Sequence, residues 1–327
     1  MERIVSCLII DDYDSSVDII FNDNNNLIQK YFNYAFKGLL RWDAFYFLHI
    51  SEEGYIYEQE FAFFPLLPLL ARILGDFAFI PLGYFLTYTQ VLFLSGVLIT
   101  NICFVLASIN LYKLSLILFK DEKFAFISSI FYILTPSCIF MTSMYTESLF
   151  GFLSFFGMRL FYENKLFFAS LIWCLASFTR SNGIVYIGFY VYEVIKDYFN
   201  INGNNGVSNS VGGTFKIIFY YIKIILLGLI SISGFIIFQT YGYYQYCTDN
   251  SLEREWCNSY LIYSFVQSYY WNCGFFKYYE FKQIPNFLLA MPMISLSVYG
   301  IFTYIKYDIN RIFTLGLTKK KSVKEGK

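Results

Sequence analysis

The chain is expected to fold as an all-α polytopic membrane protein, and three observations carry that expectation. Hydrophobic residues make up 57% of its 327 residues and charged residues only 15%, where a soluble domain carries about 25%. The apolar runs are long and continuous rather than alternating with the period of two seen in a membrane β-barrel. Lysine and arginine gather at alternate connections between those runs, the asymmetry described by the positive-inside rule. A formal net charge of zero gives no reason to expect a nucleic-acid partner.

The elements follow in order. Residues 1–83 read as an N-terminal segment outside the bundle. Its first 35 residues are polar and irregular, with an Asn-rich "FNDNNN". The apolar "IVSCLII" before Asp11 is too short to span a bilayer or to serve as a signal peptide. Residues 36–60 mix aromatics with acids. "FAFFPLLPLLARILGDF" reads as an interfacial or re-entrant helix with its prolines in the first turn. Residues 84–306 form the bundle, with spans expected at 84–109, 124–141 (Pro136 near its far end), 145–161, a short 166–178 ending at "TRSNG", 184–194, 215–241 and 285–304. "FNINGNNGVSNSVGG" is a flexible low-complexity loop, and 242–284 is a polar, tyrosine-rich segment. Residues 307–327 form a basic tail carrying Lys319–Lys321.

If the spans alternate sides, Lys113, Lys120, Lys123, Arg159, Lys165, Lys196, Lys216, Lys306, Arg311 and Lys319–Lys321 share one face, expected to be cytosolic. The opposite face receives "RWDA", "TPS…YTE", "TRSNG" and 242–284. Four separated polar words therefore converge there.

Asp43 leads the candidates. If "LLRWDAFYFLHI" is helical, Arg41 and Asp43 point about 200° apart, so Arg41 does not neutralise it. An aspartate beside an apolar membrane surface invites a functional reading; an interfacial acid reaching water explains it as well from composition alone. Glu52, Glu53, Glu58 and Glu60 follow closely, but their spacing fits no defined metal motif, and they read as a solvated loop. Pro136 breaks a helix, Thr146 or Ser143 caps the next one, and Glu147 suits its positive N-terminus. Arg180 lies at a break where Gly183 permits a sharp turn; a cation there meets either an anionic group such as phosphate or a nearby acid. Clustered aromatics near Lys277 and Lys282 need no more than the membrane interface to explain them. The seven cysteines and single His49 show no zinc spacing. Cys103, Cys138 and Cys174 read as inert core residues. Cys247 and Cys257 bracket "CTDNSLEREWC", either as a disulfide in an oxidising compartment or as two free thiols.

Taken together, "RWDAFYFLHISEEGYIYEQEFAFFPLLPLL", "TPSCIFMTSMYTESLF", "FTRSNGIVYIGF" and "IYSFVQSYYWNCGFFKYYEFKQIPNFLLAMP", with smaller echoes in "DDYDSS", "FQTYGYYQYC" and "EWC", resemble the GPI mannosyltransferase II, or PIG-V, family from about residue 10 to 318. The resemblance implies a GT-C-type helical bundle with luminal loops, in the endoplasmic reticulum membrane. It implies transfer of the second mannose, in α1,6 linkage, from dolichyl phosphate mannose to the glycosylphosphatidylinositol precursor, with inversion, and a small membrane subunit as a possible partner. Asp43 takes the place of the catalytic base in the first luminal loop. Trp42 and Pro136 carry over as motif residues. Arg180 is the candidate contact for the donor phosphate, with Lys277 and Lys282 as rivals and Glu147 beside them in the substrate site. No cofactor is expected, and the sequence leaves a divalent metal open. The family usually has a span before its "DYDSS" word and further segments after the basic tail, so a reduced or incomplete chain is expected. A non-catalytic subunit and a polytopic transporter are the rival classes; no inverted repeat supports the latter.

Overall fold

The computed structural model describes residues 20, 26–203, 211–248, 254–258 and 261–317. The "DDYDSS" word, the middle of the Asn/Gly loop and Lys319–Lys321 lie outside the described residues. Every regular element among those described is helical. Three helical stretches are long and apolar enough to cross a membrane: Tyr88–Phe119, Ile217–Cys247 and Phe281–Tyr307. This is an all-α membrane protein.

The chain forms two compact units. The first comprises residues 1–190 and 222–266. Its helices are α1 (Leu27–Phe36), α2 (Asp43–Glu53), α3 (Leu66–Leu82), α4 (Tyr88–Phe119), α5 (Glu122–Ile133), α6 (Cys138–Thr142), α7 (Glu147–Tyr162) and α8 (Leu166–Ser177). The N-terminal end of α9 (Ile187–Gly203), most of α10 (Val211–Cys247) and the start of α11 (Ile262–Tyr269) complete it.

Helix α4 is the spine of this unit and packs against α2, α3, α5, α6 and α7. It starts at a capping box, in which the Thr87 side chain accepts from Gln90 N–H and the Gln90 side chain accepts from Thr87 N–H. It ends where Lys120 turns left-handed at φ 55°. Its 32 residues give about 48 Å of helix, more than the roughly 30 Å bilayer core. Lys113, expected in a cytosolic loop, therefore sits on the last turns of α4 itself. Helix α3 begins at Leu66, with Pro65 at the cap position and Pro68 in its first turn, as the fixed proline φ favours.

Several expected spans are re-cut. The 124–141 span is two helices, because Pro136 has no N–H to continue the ladder; α5 stops at Ile133 and the short α6 follows. The "RWDA" stretch is not one helix. A 3-10 turn covers Lys37–Leu39, Trp42 takes φ 46°, and α2 begins only at Asp43. After α8 comes a 3-10 turn over Ser181–Tyr186 before α9. Gly183 is needed here for close approach, since a Cβ would overlap the Ser177 backbone. Helix α10 runs six residues past the expected Tyr241, to Cys247.

The second unit comprises residues 191–221 and 267–327. Its long helix is α12 (Ile284–Tyr307), with Pro285 in the first turn and Pro292 inside, followed by α13 (Ile309–Phe313). Tyr192 O–H donates to Leu315 C=O at 2.9 Å. Beside that bond an apolar groove of about 540 Å³ is lined by Ile195, Phe199, Phe313, Leu315 and Leu317.

Candidate active site

The first unit brings four of the sequence-predicted residues together at the start of α2. Asp43 is the first residue of that helix, and it reaches solvent. Protein crowded around the carboxyl excludes enough water to push its pKa up, the Glu147 carboxylate pushes the same way, and the Arg180 guanidinium opposes both. Trp42 stands exposed beside it, with its ring stacked on Phe140 at 6.0 Å. Pro136 acts one step back, ending α5 so that α6 can carry Phe140 to that stack.

The 143–147 segment docks directly on the 39–43 turn. Ser143 O–H donates to Leu39 C=O in a short contact, and Tyr145 O–H donates to Arg41 C=O at 2.9 Å. Ser143 therefore does not cap the start of α7. Thr146 occupies the cap position of α7, yet its side chain makes no capping bond; its hydroxyl instead accepts from Arg180 Nη1 at 3.2 Å. The same guanidinium nitrogen makes a short ion pair with Glu147 Oε1. Of the two partners anticipated for Arg180, the acid is present. About a third of the arginine side chain remains exposed (36%), so the pair leaves it a face toward solvent. The other Glu147 oxygen, Oε2, is buried with no hydrogen-bond partner among the described residues.

Of the acidic cluster, Glu53 is exposed as expected of a solvated acid, but Glu58 and Glu60 are buried. Glu60 is 2% exposed and Glu58 7%. Glu60 Oε2 accepts from the N–H groups of Ile56 and Tyr57, both at 2.9 Å, and its Oε1 lies 2.6 Å from His49 Nδ1. Glu58 accepts a short bond from Trp256 Nε1 and pairs with Arg254 at 3.3 Å. Glu52 accepts from Thr89 O–H at 2.7 Å. Burial is tolerable because each carboxylate finds donors, beneath an aromatic core of Phe61, Phe64, Phe238, Tyr246 and Trp256. Among the described residues no group of three or more His, Cys, Asp or Glu side chains is placed to hold a metal ion.

Cys247 and Cys257 form a disulfide, which resolves the alternative the sequence left open. The segment that carries it is tied to the stretch after α2: Gln245 Nε2 donates to Tyr55 C=O at 2.8 Å, Tyr246 O–H to Ile56 C=O at 3.1 Å, and Glu58 holds Arg254 and Trp256.

Lys277 and Lys282 belong to the second unit rather than to the unit that holds Asp43. Lys282 pairs with Glu280 at 2.6 Å. Residue reasoning missed Tyr145 and Phe140, and it read Ser143 as a cap rather than as the partner of Leu39 C=O. Their only sequence signal is membership in the "TPSCIFMTSMYTESLF" word, since each acts on a residue roughly a hundred positions away.

The fold and site together define a polytopic helical membrane protein with a solvent-reaching carboxylate set against an Arg–Glu pair. The sequence matches the mannosyltransferase (PIG-V) family over residues 4–327, and the chain belongs to that family. It is 34% identical over 313 residues to GPI alpha-1,6-mannosyltransferase 2 of Cricetulus griseus, covering 88% of this chain and 62% of that protein. It is 33% identical over 312 residues to the Homo sapiens protein of the same name, with the same coverage. GPI mannosyltransferase 2 of Drosophila melanogaster is 29% identical over 316 residues, covering 88% of this chain and 68% of that one. The chain thus spans about 62% of the length of these mammalian relatives. No solved structure matches it.

Proposed function

We propose that this chain carries the mannosyl-transfer site of a GPI α1,6-mannosyltransferase, which adds the second mannose to the glycosylphosphatidylinositol precursor from dolichyl phosphate mannose in the lumen of the endoplasmic reticulum. The observation that carries the reading is the Asp43 constellation: a solvent-reaching carboxylate at a helix start, partly desolvated, with Glu147 and Arg180 close enough to tune it in opposite directions. Family membership supports the substrate class.

The donor is a β-mannosyl phosphate and the product an α-mannoside, so one displacement with inversion suffices. Asp43 takes the proton of the acceptor hydroxyl as that oxygen bonds to the mannose anomeric carbon. The bond from that carbon to the phosphate oxygen breaks, and dolichyl phosphate leaves with the electron pair. The roles parallel those of an inverting glycosidase, except that phosphate is a good leaving group and needs no general acid. Negative charge developing on the phosphate calls for a fixed cation, and Arg180 is the residue of this site suited to it. Glu147 holds that guanidinium in place and keeps the Asp43 carboxyl easier to protonate than an ordinary aspartate, as a base working near neutrality requires. No cofactor is consumed.

The disulfide supports the luminal assignment, because such bonds persist in oxidising compartments. Its segment is bonded to the residues that follow α2, so the same compartment suits Asp43. The GT-C architecture and a small partner subunit are part of the same proposal, on the family's authority.

Expression in cells lacking their own second GPI mannosyltransferase tests the reading. Return of GPI-anchored proteins to the cell surface and disappearance of the one-mannose intermediate are expected. Persistence of that intermediate, with the chain accumulating normally in the membrane, overturns it.

A further inference from the structure

Trp42 holds φ 46° and ψ −118°, a conformation that a bulky L-residue adopts only when its surroundings enforce it. It immediately precedes Asp43 and occupies the cap position of α2, yet its side chain offers no capping acceptor. The first N–H groups of any helix need such an acceptor. Here backbone carbonyls supply it, and the first of them is held from another part of the chain. The Tyr145 hydroxyl donates to Arg41 C=O at 2.9 Å. Arg41 C=O also accepts from Ala44 N–H at 3.1 Å, and Trp42 C=O from Phe45 N–H at 3.1 Å. Tyr145 is itself buried at 5% exposure, and its ring packs edge-on to Phe140, the residue on which Trp42 stacks. One side chain thus grips the carbonyl that precedes the strained turn and closes the first turn of α2.

We propose that Tyr145 is a positioning residue for Asp43: its hydroxyl fixes the Arg41 carbonyl that closes the first turn of α2, holds the left-handed Trp42 turn, and so fixes where the Asp43 carboxylate projects. This rests on the reading of Asp43 as the base. Tyr145 touches no reacting atom. Its neighbour Ser143 pins the same two segments through Leu39 C=O, so docking of the segments does not depend on Tyr145 alone. What the phenol adds is the orientation of the first turn of α2. Loss of orientation at a reacting group lowers the rate of the chemical step far more than it weakens binding of a substrate held mainly by other contacts.

The test is Tyr145→Phe in the full chain, assayed in microsomes of cells lacking their own second GPI mannosyltransferase, with dolichyl phosphate mannose as the varied substrate. A fall in kcat of tenfold or more is expected, with KM for the donor changed less than about threefold and with membrane level and the Cys247–Cys257 bond retained. Ser143→Ala, the control for mere docking, should not produce that split. Unchanged kcat in Tyr145→Phe overturns the inference. If Asp43→Asn alone transfers normally, the base assignment fails instead, so the two failures are told apart. The wild-type chain gives an independent reading should the Phe variant not accumulate. Hydrogen exchange across residues 40–48 should find the Ala44 and Phe45 amides, which close the turn on the Arg41 and Trp42 carbonyls, protected, and rapid exchange there overturns the proposal.

Discussion

Replacing Glu58 separates the two jobs of one buried carboxylate. It accepts from the indole N–H of Trp256, a side chain only 1% exposed, and pairs with Arg254, whose side chain is 39% exposed. Glu58→Gln keeps an oxygen for the indole and loses only the charge that faces Arg254. An ion pair with one partner this exposed contributes roughly 0–1 kcal/mol, and Arg254 also keeps its place over the Tyr246 ring at 5.7 Å. Glu58→Ala removes the acceptor altogether and leaves a buried indole N–H unpaired, a loss of about 1–3 kcal/mol, to which a small cavity adds. The alanine variant is therefore expected to be destabilised by roughly 2–4 kcal/mol and the glutamine variant by about 1 kcal/mol or less. Thermal unfolding in detergent, followed through tryptophan fluorescence with the disulfide intact, reads the difference. Equal losses in the two variants would refute the reasoning, because they would mean that charge rather than the hydrogen bond holds Trp256.

Other expectations follow from the same contacts. Because Glu147 raises the Asp43 pKa and Arg180 lowers it, and because the protonated aspartate is the inactive form, Glu147→Gln should move the acid limb of the transfer rate to lower pH. Arg180→Ala should move it to higher pH while weakening use of the dolichyl donor; shifts of the opposite sign in the pH profile would contradict the electrostatic assignment. Cys247 and Cys257 should resist alkylation until reduced, whereas the exposed Cys273 reacts at once, and Cys247→Ser should cost about 2–4 kcal/mol of stability. Gly183→Ala should lower the yield of folded protein sharply, since its Cβ would meet the Ser177 backbone; normal accumulation would show that the turn after α8 can open.

The helices were legible because apolar runs report burial in lipid or in core directly. Their ends were legible only where a local signal exists. The Thr87/Gln90 capping box is such a signal, although the expected span began at residue 84 instead, whereas Lys120 turning left-handed offers none. The break after α5 could be read at Pro136, but the late start of α2 could not, because Trp42 adopts a conformation its own type disfavours. Asp43, Trp42, Glu147 and Arg180 were found as separate words, and the structure brings them into one site. The burial of Glu58 was invisible for a physical reason: the donors that make it tolerable lie 196 and 198 residues away. The same distance problem hid Tyr145, whose hydroxyl acts on a carbonyl 104 residues earlier.

The most direct measurement is mannose transfer by Asp43→Asn, in membranes where the chain is the sole candidate for the second GPI mannosyltransferase. The substitution keeps the size and much of the hydrogen bonding of the side chain and removes its basicity. The account predicts accumulation of the one-mannose precursor with no detectable product, while membrane level and the Cys247–Cys257 bond stay at wild-type values. Product formed at a rate near that of the unaltered chain would contradict it, and the proton would have to leave the acceptor by another route.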